Sequence, residues 1–377
     1  MRAFVFTDKA LARHAGQFVW LSIDTEKPGN ASFLTKFPVE AWPSYFVVDA
    51  SSEKVALRWV GGATVSQVVK ILEDGRQAVR GREKGVEEIL ARADRSYGEG
   101  KNADAVKDYR EALSAAPKGW PRYGRAVESL LFALQRIHDE KGCAETAHGA
   151  FARLRRTSSA ANVAATGLNC ALSLKPEDPS RVELVTTLAA DCREVLSERR
   201  PDIAADDISS VYDELASERE EAKDEQGRKK VLSERAAFLE GEAARAKSPE
   251  ARAVFDSHRL STYLELGEPE RAIPMLEASE RDLPEDYNPP ARLAVAYRAM
   301  KKYDEALAAS DRALARAYGP RKIGILQTRA DIYAAMGDPG AARRTMEETL
   351  RYAEGLPPGQ RSEKTVASLK KKLEAMP

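Results

Sequence analysis

The side chains able to carry covalent or metal chemistry are few and scattered. Four histidines stand at His14, His138, His148 and His258, and three cysteines at Cys143, Cys170 and Cys192. The tightest grouping is His138, Cys143 and His148, two imidazoles on either side of a helical turn with a thiol between them. Their spacing, a single thiol between two imidazoles, matches no recognised zinc arrangement, so these residues read as solvated helix positions and predict no metal site. The cysteines all fall in helical segments and read as three small core residues, because free cysteine is among the most buried residue types. A Cys170–Cys192 bridge would span one hairpin, but helix register sets their backbones too far apart. Gly61-Gly62 closes a strand without the further glycine and helix N-terminus that cradle a phosphate. No nucleophile stands beside a base in a recognisable constellation. The expectation is no catalytic residue, no metal and no cofactor.

Composition points the same way. With 59 basic and 59 acidic residues in 377, the net charge is zero, so the overall field attracts neither nucleic acid nor an anionic membrane. Charged residues make up 31% and aromatic residues 7%, which suits exposed helices more than a compact enzyme core. No apolar run approaches the roughly 20 residues needed to span a bilayer. The opening Met1-Arg-Ala-Phe-Val-Phe gives way at Asp8 and Lys9, so it does not read as a signal peptide, and the chain as written is expected in the cytoplasm. Runs such as Ser217 to Glu225 set opposite charges three or four positions apart and read as solvated helix faces.

The elements that position these residues are mostly helical and repeat. Tyr263, Gly267 and Ala272 recur as Tyr297, Lys301 and Ala306, followed by Ser310 and Ala313, and again as Tyr333, Gly337 and Ala342; Gly267 to Lys301 is 34 positions and Lys301 to Gly337 is 36. Small residues at Ala272, Ala306 and Ala342 let a second helix approach a first, while the tyrosines fill the wider space toward the next hairpin. An earlier copy runs from Gly100 through Ala105, Tyr109 and Ala112 to Pro117, and a weaker one uses Gly142, Ala147 and Phe151. This period and these marker residues resemble the tetratricopeptide repeat (TPR) family, whose helical hairpins hold one another up as a solenoid. Between about 160 and 247 the helical periodicity continues without the markers, as two degenerate hairpins with turns near Lys175–Pro179 and Asp224–Gly227. At the end, Val366, Leu369 and Leu373 share one face opposite Lys364, Lys370, Lys371 and Lys372, the pattern of a capping helix.

Residues 1–80 differ. Gln17–Asp24, Tyr45–Asp49 and Ala56–Val60 are short β-branched and aromatic runs that predict strands, flanked by helical patterns at Asp8–Ala15 and Val65–Glu73. That order, with Trp42-Pro43-Ser44 opening the second strand and Gly61-Gly62 closing the third, resembles the C-terminal two-thirds of a thioredoxin fold. The resemblance implies that Pro43 is the cis-proline of that family and that Trp42 and Pro43 form the wall beside its active site. The family's Cys-x-x-Cys, which would precede this segment, is not in the residues given: no cysteine occurs before Cys143. Either the native start lies upstream, or the segment is a redox-inactive remnant that caps the repeats.

The expected architecture is therefore mostly α: an incomplete thioredoxin-like domain over 1–80, TPR-like repeats over 81–359 with clean copies at about 84–117 and 253–354, and a capping helix over 360–377. The expected function is a protein-interaction scaffold. In the TPR family the first helix of each hairpin lines a groove for an extended peptide or helix. That resemblance points Ser257, Ser261, Asn288, Arg298, Gln327 and Asp331 toward a protein or peptide partner, without the lysine and asparagine cluster that grips a C-terminal carboxylate. The alternative is a thiol–disulfide oxidoreductase whose catalytic pair lies upstream of Met1, and an extracytoplasmic location follows if an upstream extension carries an export signal.

Overall fold

The computed structural model describes residues 5–39, 42–80 and 84–376. The chain divides into two compact units, Met1–Phe18 with Val39–Arg235, and Val19–Pro38 with Ala236–Pro377.

The first unit opens with a 3-10 helix, Lys9–His14, whose first turn is capped by Asp8 accepting from Ala10 N at 2.8 Å. Strands β1 (Ser44–Asp49) and β2 (Lys54–Val60) pair antiparallel, Tyr45 opposite Trp59 and Val47 opposite Leu57. The Trp42–Pro43 peptide bond is cis. The short helix α1 (Ala31–Lys36) belongs to the second unit, and α2 (Val65–Val79) follows the hairpin. Thr64 and Gln67 form a capping box at the start of α2, each side chain satisfying the other's otherwise orphaned backbone N–H. Leu11, Val47, Leu57, Val68, Ile71 and Leu72 make the small core beneath. Gly75 sits where β1 crosses α2: a Cβ there would lie 2.5 Å from Val47 Cγ2.

The expected strand over Gln17–Asp24 is not formed, and the sheet has two strands among the described residues where three were expected. Val19 is 87% and Leu21 75% exposed. A strand needs a neighbour for its backbone groups, and here Asp24 diverts the chain into a turn instead. Its carboxylate accepts from Glu26 N at 3.0 Å and its carbonyl from Asn30 Nδ2 at 2.8 Å.

Four helix pairs complete the unit: α3 (Val86–Gly98) with α4 (Asn102–Ala115), α5 (Tyr123–Arg136) with α6 (Glu140–Leu154), α7 (Ala160–Leu172) with α8 (Arg181–Ser197), and α9 (Ala205–Glu221) with α10 (Glu225–Arg245), the last running past the unit boundary. Three of the first helices end alike. Gly100, His138 and Lys223 adopt φ of 75°, 58° and 55°, and the N–H of the following residue reaches back to the carbonyls of Ser96, Leu134 and Arg219 at 2.9 to 3.0 Å. This is the Schellman termination, which turns the chain into the second helix while satisfying carbonyls left over at the helix end. His138 is thus a turn residue in an uncommon conformation for a side chain larger than glycine. His148 lies 3.9 Å from Asp191.

The cysteines correct the expectation of three free thiols. Cys143 of α6 and Cys170 of α7 form a disulfide with a Cα–Cα distance of 6.0 Å, and Cys192 is free and fully buried. Successive pairs bring α6 against α7, a juxtaposition that helix register within one hairpin does not disclose.

The second unit holds α11 (Pro249–Ala253), then α12 (Asp256–Leu266) with α13 (Ala272–Asp282), α14 (Asn288–Ala299) with α15 (Tyr303–Arg316), α16 (Arg321–Ala335) with α17 (Pro339–Glu354), and the closing α18 (Glu363–Glu374). Gly267, Lys301 and Gly337 repeat the left-handed turn at 74°, 59° and 81°, so the spacing seen in the sequence is the spacing of a backbone conformation. Ala272, Ala306 and Ala342 are fully buried where the helices of each pair meet. In α18 Val366 and Leu369 are buried and Lys364, Lys370, Lys371 and Lys372 are exposed.

Candidate partner-binding surfaces

Two of the three repeat tyrosines reach backward with their hydroxyls rather than toward the next hairpin. Tyr263 donates to Glu240 of α10 at 2.6 Å and Tyr297 to Glu277 of α13 at 3.2 Å, each acid lying on the second helix of the preceding pair. Tyr333 is linked through Arg329, which donates to its hydroxyl at 3.2 Å and also pairs with Asp311 of α15. Burial works to raise the Glu240 carboxyl, but donors from Tyr263 and Arg271 win and hold it below the ordinary value. These bonds fix the stacking of the pairs.

Of the six residues expected to face a partner, Arg298 of α14 and Asp331 of α16 meet in an ion pair at 2.9 Å. Ser257 is exposed. Ser261 is half-buried and donates back to the His258 carbonyl at 3.0 Å, and Gln327 is half-buried. Asn288 is the first residue of α14, with its backbone N–H and its side-chain amide both bonded to Asp286.

A second surface of this unit lies at the turns between pairs and was not found from the sequence. Residues 24–31, from the same compact unit, lie against it. Glu26 is bound by Arg321 and by Tyr287, whose hydroxyl is 3.1 and 3.0 Å from its two carboxylate oxygens. Tyr318 donates to Asp24 at 2.6 Å. Gln360 donates to the carbonyls of Thr25 at 2.9 Å and Lys27 at 3.0 Å. Gly319 and Gly359, at φ of 56° and 89°, admit the carbonyls of Glu26 and Ala31 so closely that a Cβ would stand 2.0 and 2.3 Å from them. Burial and the Glu26 charge both push the Tyr287 hydroxyl well above its ordinary pKa.

In the first unit the first helices are joined by contacts among side-chain amides and carboxyls. Asn162 of α7 donates to Glu128 of α5 at 3.0 Å; Gln135 of α5 donates to Asn169 of α7 at 3.3 Å, which donates to Glu214 of α9 at 3.2 Å. Burial pushes Glu128 and Glu214 up to about 7. Burial, then the charges of Glu128 and Asp206, push Asp207 up to about 8. The sequence signal was Asn162 and Asn169, seven apart in a helix otherwise built almost wholly of small and apolar residues. Next to them α2 is anchored to the repeats by Arg122, which pairs with Asp74 at 3.1 Å and with Glu87. A cavity of about 780 Å³ opens beside α2, lined by Trp59, Lys70, Trp120, Tyr123 and Arg153. The Arg153 guanidinium stacks 3.6 Å above the Tyr123 ring. Trp42 is 57% exposed and Pro43 half-buried. Among the described residues no group of three or more acids, histidines or cysteines could hold a metal, and no helix is long and apolar enough to cross a membrane.

Stacked helix pairs closed by a recurrent left-handed turn define a TPR-like helical solenoid. Residues 287–355, which cover α14 to α17, match the family model for the tetratricopeptide repeat. Among solved structures the chain is similar to a tetratricopeptide repeat protein from Parabacteroides merdae, at 12% identity and a TM-score of 0.47 over 77% of this chain and 98% of that one. It is also similar to a thermophilic TPR protein of Thermus thermophilus, at 14% identity and a TM-score of 0.26 over 77% and 97%. No curated protein matches.

Proposed function

We propose that this chain is a protein–protein interaction scaffold whose repeats bind a protein or peptide partner through the first helices of the pairs. The match of residues 287–355 to the tetratricopeptide repeat family carries the reading. It is supported by the Arg298–Asp331 pair, which puts complementary charges from two successive repeats on one surface. Ser257, Ser261 and Gln327 extend that surface, whereas Asn288 acts on it by fixing the start of α14.

In this reading the N-terminal segment is thioredoxin-like and redox-inactive, and Trp42 and Pro43 offer a second contact surface. The residues given supply no dithiol there, so turnover of a disulfide substrate by protein of this sequence would overturn the reading in favour of an oxidoreductase. The Cys143–Cys170 bridge favours an oxidising compartment over the cytoplasm. The scaffold role is tested by immobilising the protein and capturing partners from its own cells. Arg298→Glu with Gln327→Glu should lower capture at least about tenfold, the effect of setting like charges in an interface, while the helical circular dichroism stays unchanged. Equal capture by wild type and variant would remove this surface from the function.

A further inference from the structure

We propose that the inter-repeat edge of the second unit is a recognition site for a turn-forming segment carrying two acids separated by one residue, and that residues 24–31 fill it as a tethered ligand. The partner it fits is a protein presenting such an acid-x-acid segment, which gains access by displacing the chain's own. The inference deepens the scaffold reading by naming a second surface and its ligand class.

The edge treats these residues as a peptide. It reads side chains through Arg321 and Tyr287 on Glu26 and Tyr318 on Asp24. It reads backbone through Gln360, whose amide holds two successive alternate carbonyls, those of Thr25 and Lys27. Bonds to main-chain carbonyls are indifferent to sequence, so a segment of the right charge pattern that adopts the same turn satisfies them. Gln360 is 6% exposed, and its Oε1 is buried with no hydrogen-bond partner, an acceptor that the tethered segment leaves unused. Gly319 and Gly359 keep the floor open, since any side chain there would collide with the carbonyls of the bound segment. The segment itself is preshaped: Asp24 accepts from Glu26 N, and Pro28 starts a 3-10 turn that leads into α1. A tethered ligand acts at millimolar effective concentration, so a free peptide competes poorly until the tether's contacts are weakened.

The test uses the full chain and a fluorescent peptide of residues 20–38, read by anisotropy. Wild type should bind it weakly. Asp24→Ala with Glu26→Ala, which empties the edge of its charged anchors, should bind it at least about tenfold more tightly. Adding Arg321→Ala should return binding to the wild-type level, and a peptide with both acids replaced should not bind. Equal weak binding by wild type and the double variant, or binding indifferent to Arg321→Ala, would overturn the proposal. Should the double variant misfold, Arg321→Ala alone should still raise amide hydrogen exchange over residues 22–31 about tenfold, and unchanged exchange there would count against it. Sedimentation showing wild-type dimers that Arg321→Ala dissociates would assign the edge to a second copy and overturn the partner assignment. The scaffold reading fails separately, through Arg298 and Gln327.

Discussion

Stability of the first unit should fall as pH rises, and Glu128 sets much of the slope. Its side chain is buried in α5, its Oε2 accepts from Asn162, its Oε1 has no partner at hydrogen-bonding distance, and burial pushes its pKa from 4.5 up to about 7 despite Ser159, Asn162 and Arg125 nearby. A carboxyl whose folded pKa lies above its unfolded one binds more protons folded than unfolded. Its contribution is therefore complete below about 4.5 and drains away as pH climbs through 7. Each tenfold difference in proton affinity between the folded and unfolded carboxyl is worth about 1.4 kcal/mol, and integrating from about pH 5 to about pH 8 gives a loss of roughly 2 kcal/mol from Glu128 alone. Asp207, raised to about 8 and coupled to it, pushes in the same direction. Trp59 and Trp120 are buried in this unit, so urea unfolding followed by tryptophan fluorescence at a series of pH values reads it. Glu128→Gln, neutral at every pH, should flatten the curve by about that 2 kcal/mol. Stability that is level or rising over this range, or an unchanged slope in Glu128→Gln, would refute the argument.

Other expectations concern single contacts. Replacing Cys143 and Cys170 by serine opens a loop of 27 residues and should cost about 3 kcal/mol, read from urea midpoints under oxidising conditions. Asp94 is 2% exposed and holds Arg125 and Tyr109, both at 2.8 Å, so Asp94→Ala strands a buried guanidinium and should cost about 3 to 5 kcal/mol in the same assay. Gly75→Ala drives a methyl into Val47 and should loosen α2 from β1 by about 1 to 3 kcal/mol, seen as faster amide exchange in the hairpin. Lys301→Gly relieves a left-handed backbone that glycine adopts freely and should raise the melting temperature, with a gain of about 1 kcal/mol.

The repeats were legible because their packing demands particular residues at particular steps. Ala272, Ala306 and Ala342 are small since helices touch there, and Gly267 and Gly337 are glycines since the chain turns left-handed there. Lys301 holds the same place without glycine, which is why spacing found it and composition did not. The β1–β2 hairpin was readable from its β-branched runs. The outcome at Gln17–Asp24 was not, because an apolar run forms a strand only beside another strand. Its continuation instead binds residues some 260 to 335 positions away in sequence, from Tyr287 to Gln360. Long-range pairings of that kind, like Cys143 with Cys170, depend on which helices become neighbours and leave no local pattern, and the contact of Asn169 with Glu214 left only the two asparagines of α7 as a hint. Asn288 was assigned to a partner surface by its position in the repeat, and the sequence did not disclose that its backbone N–H and side-chain amide both donate to Asp286 at the start of α14.

The most direct measurement is hydrogen exchange on the chain with and without its captured partner. The scaffold account predicts protection in the first helices α12, α14 and α16, centred on Arg298 and Asp331. Protection confined to the second helices α13, α15 and α17, with α12, α14 and α16 exchanging as in the free chain, would contradict it.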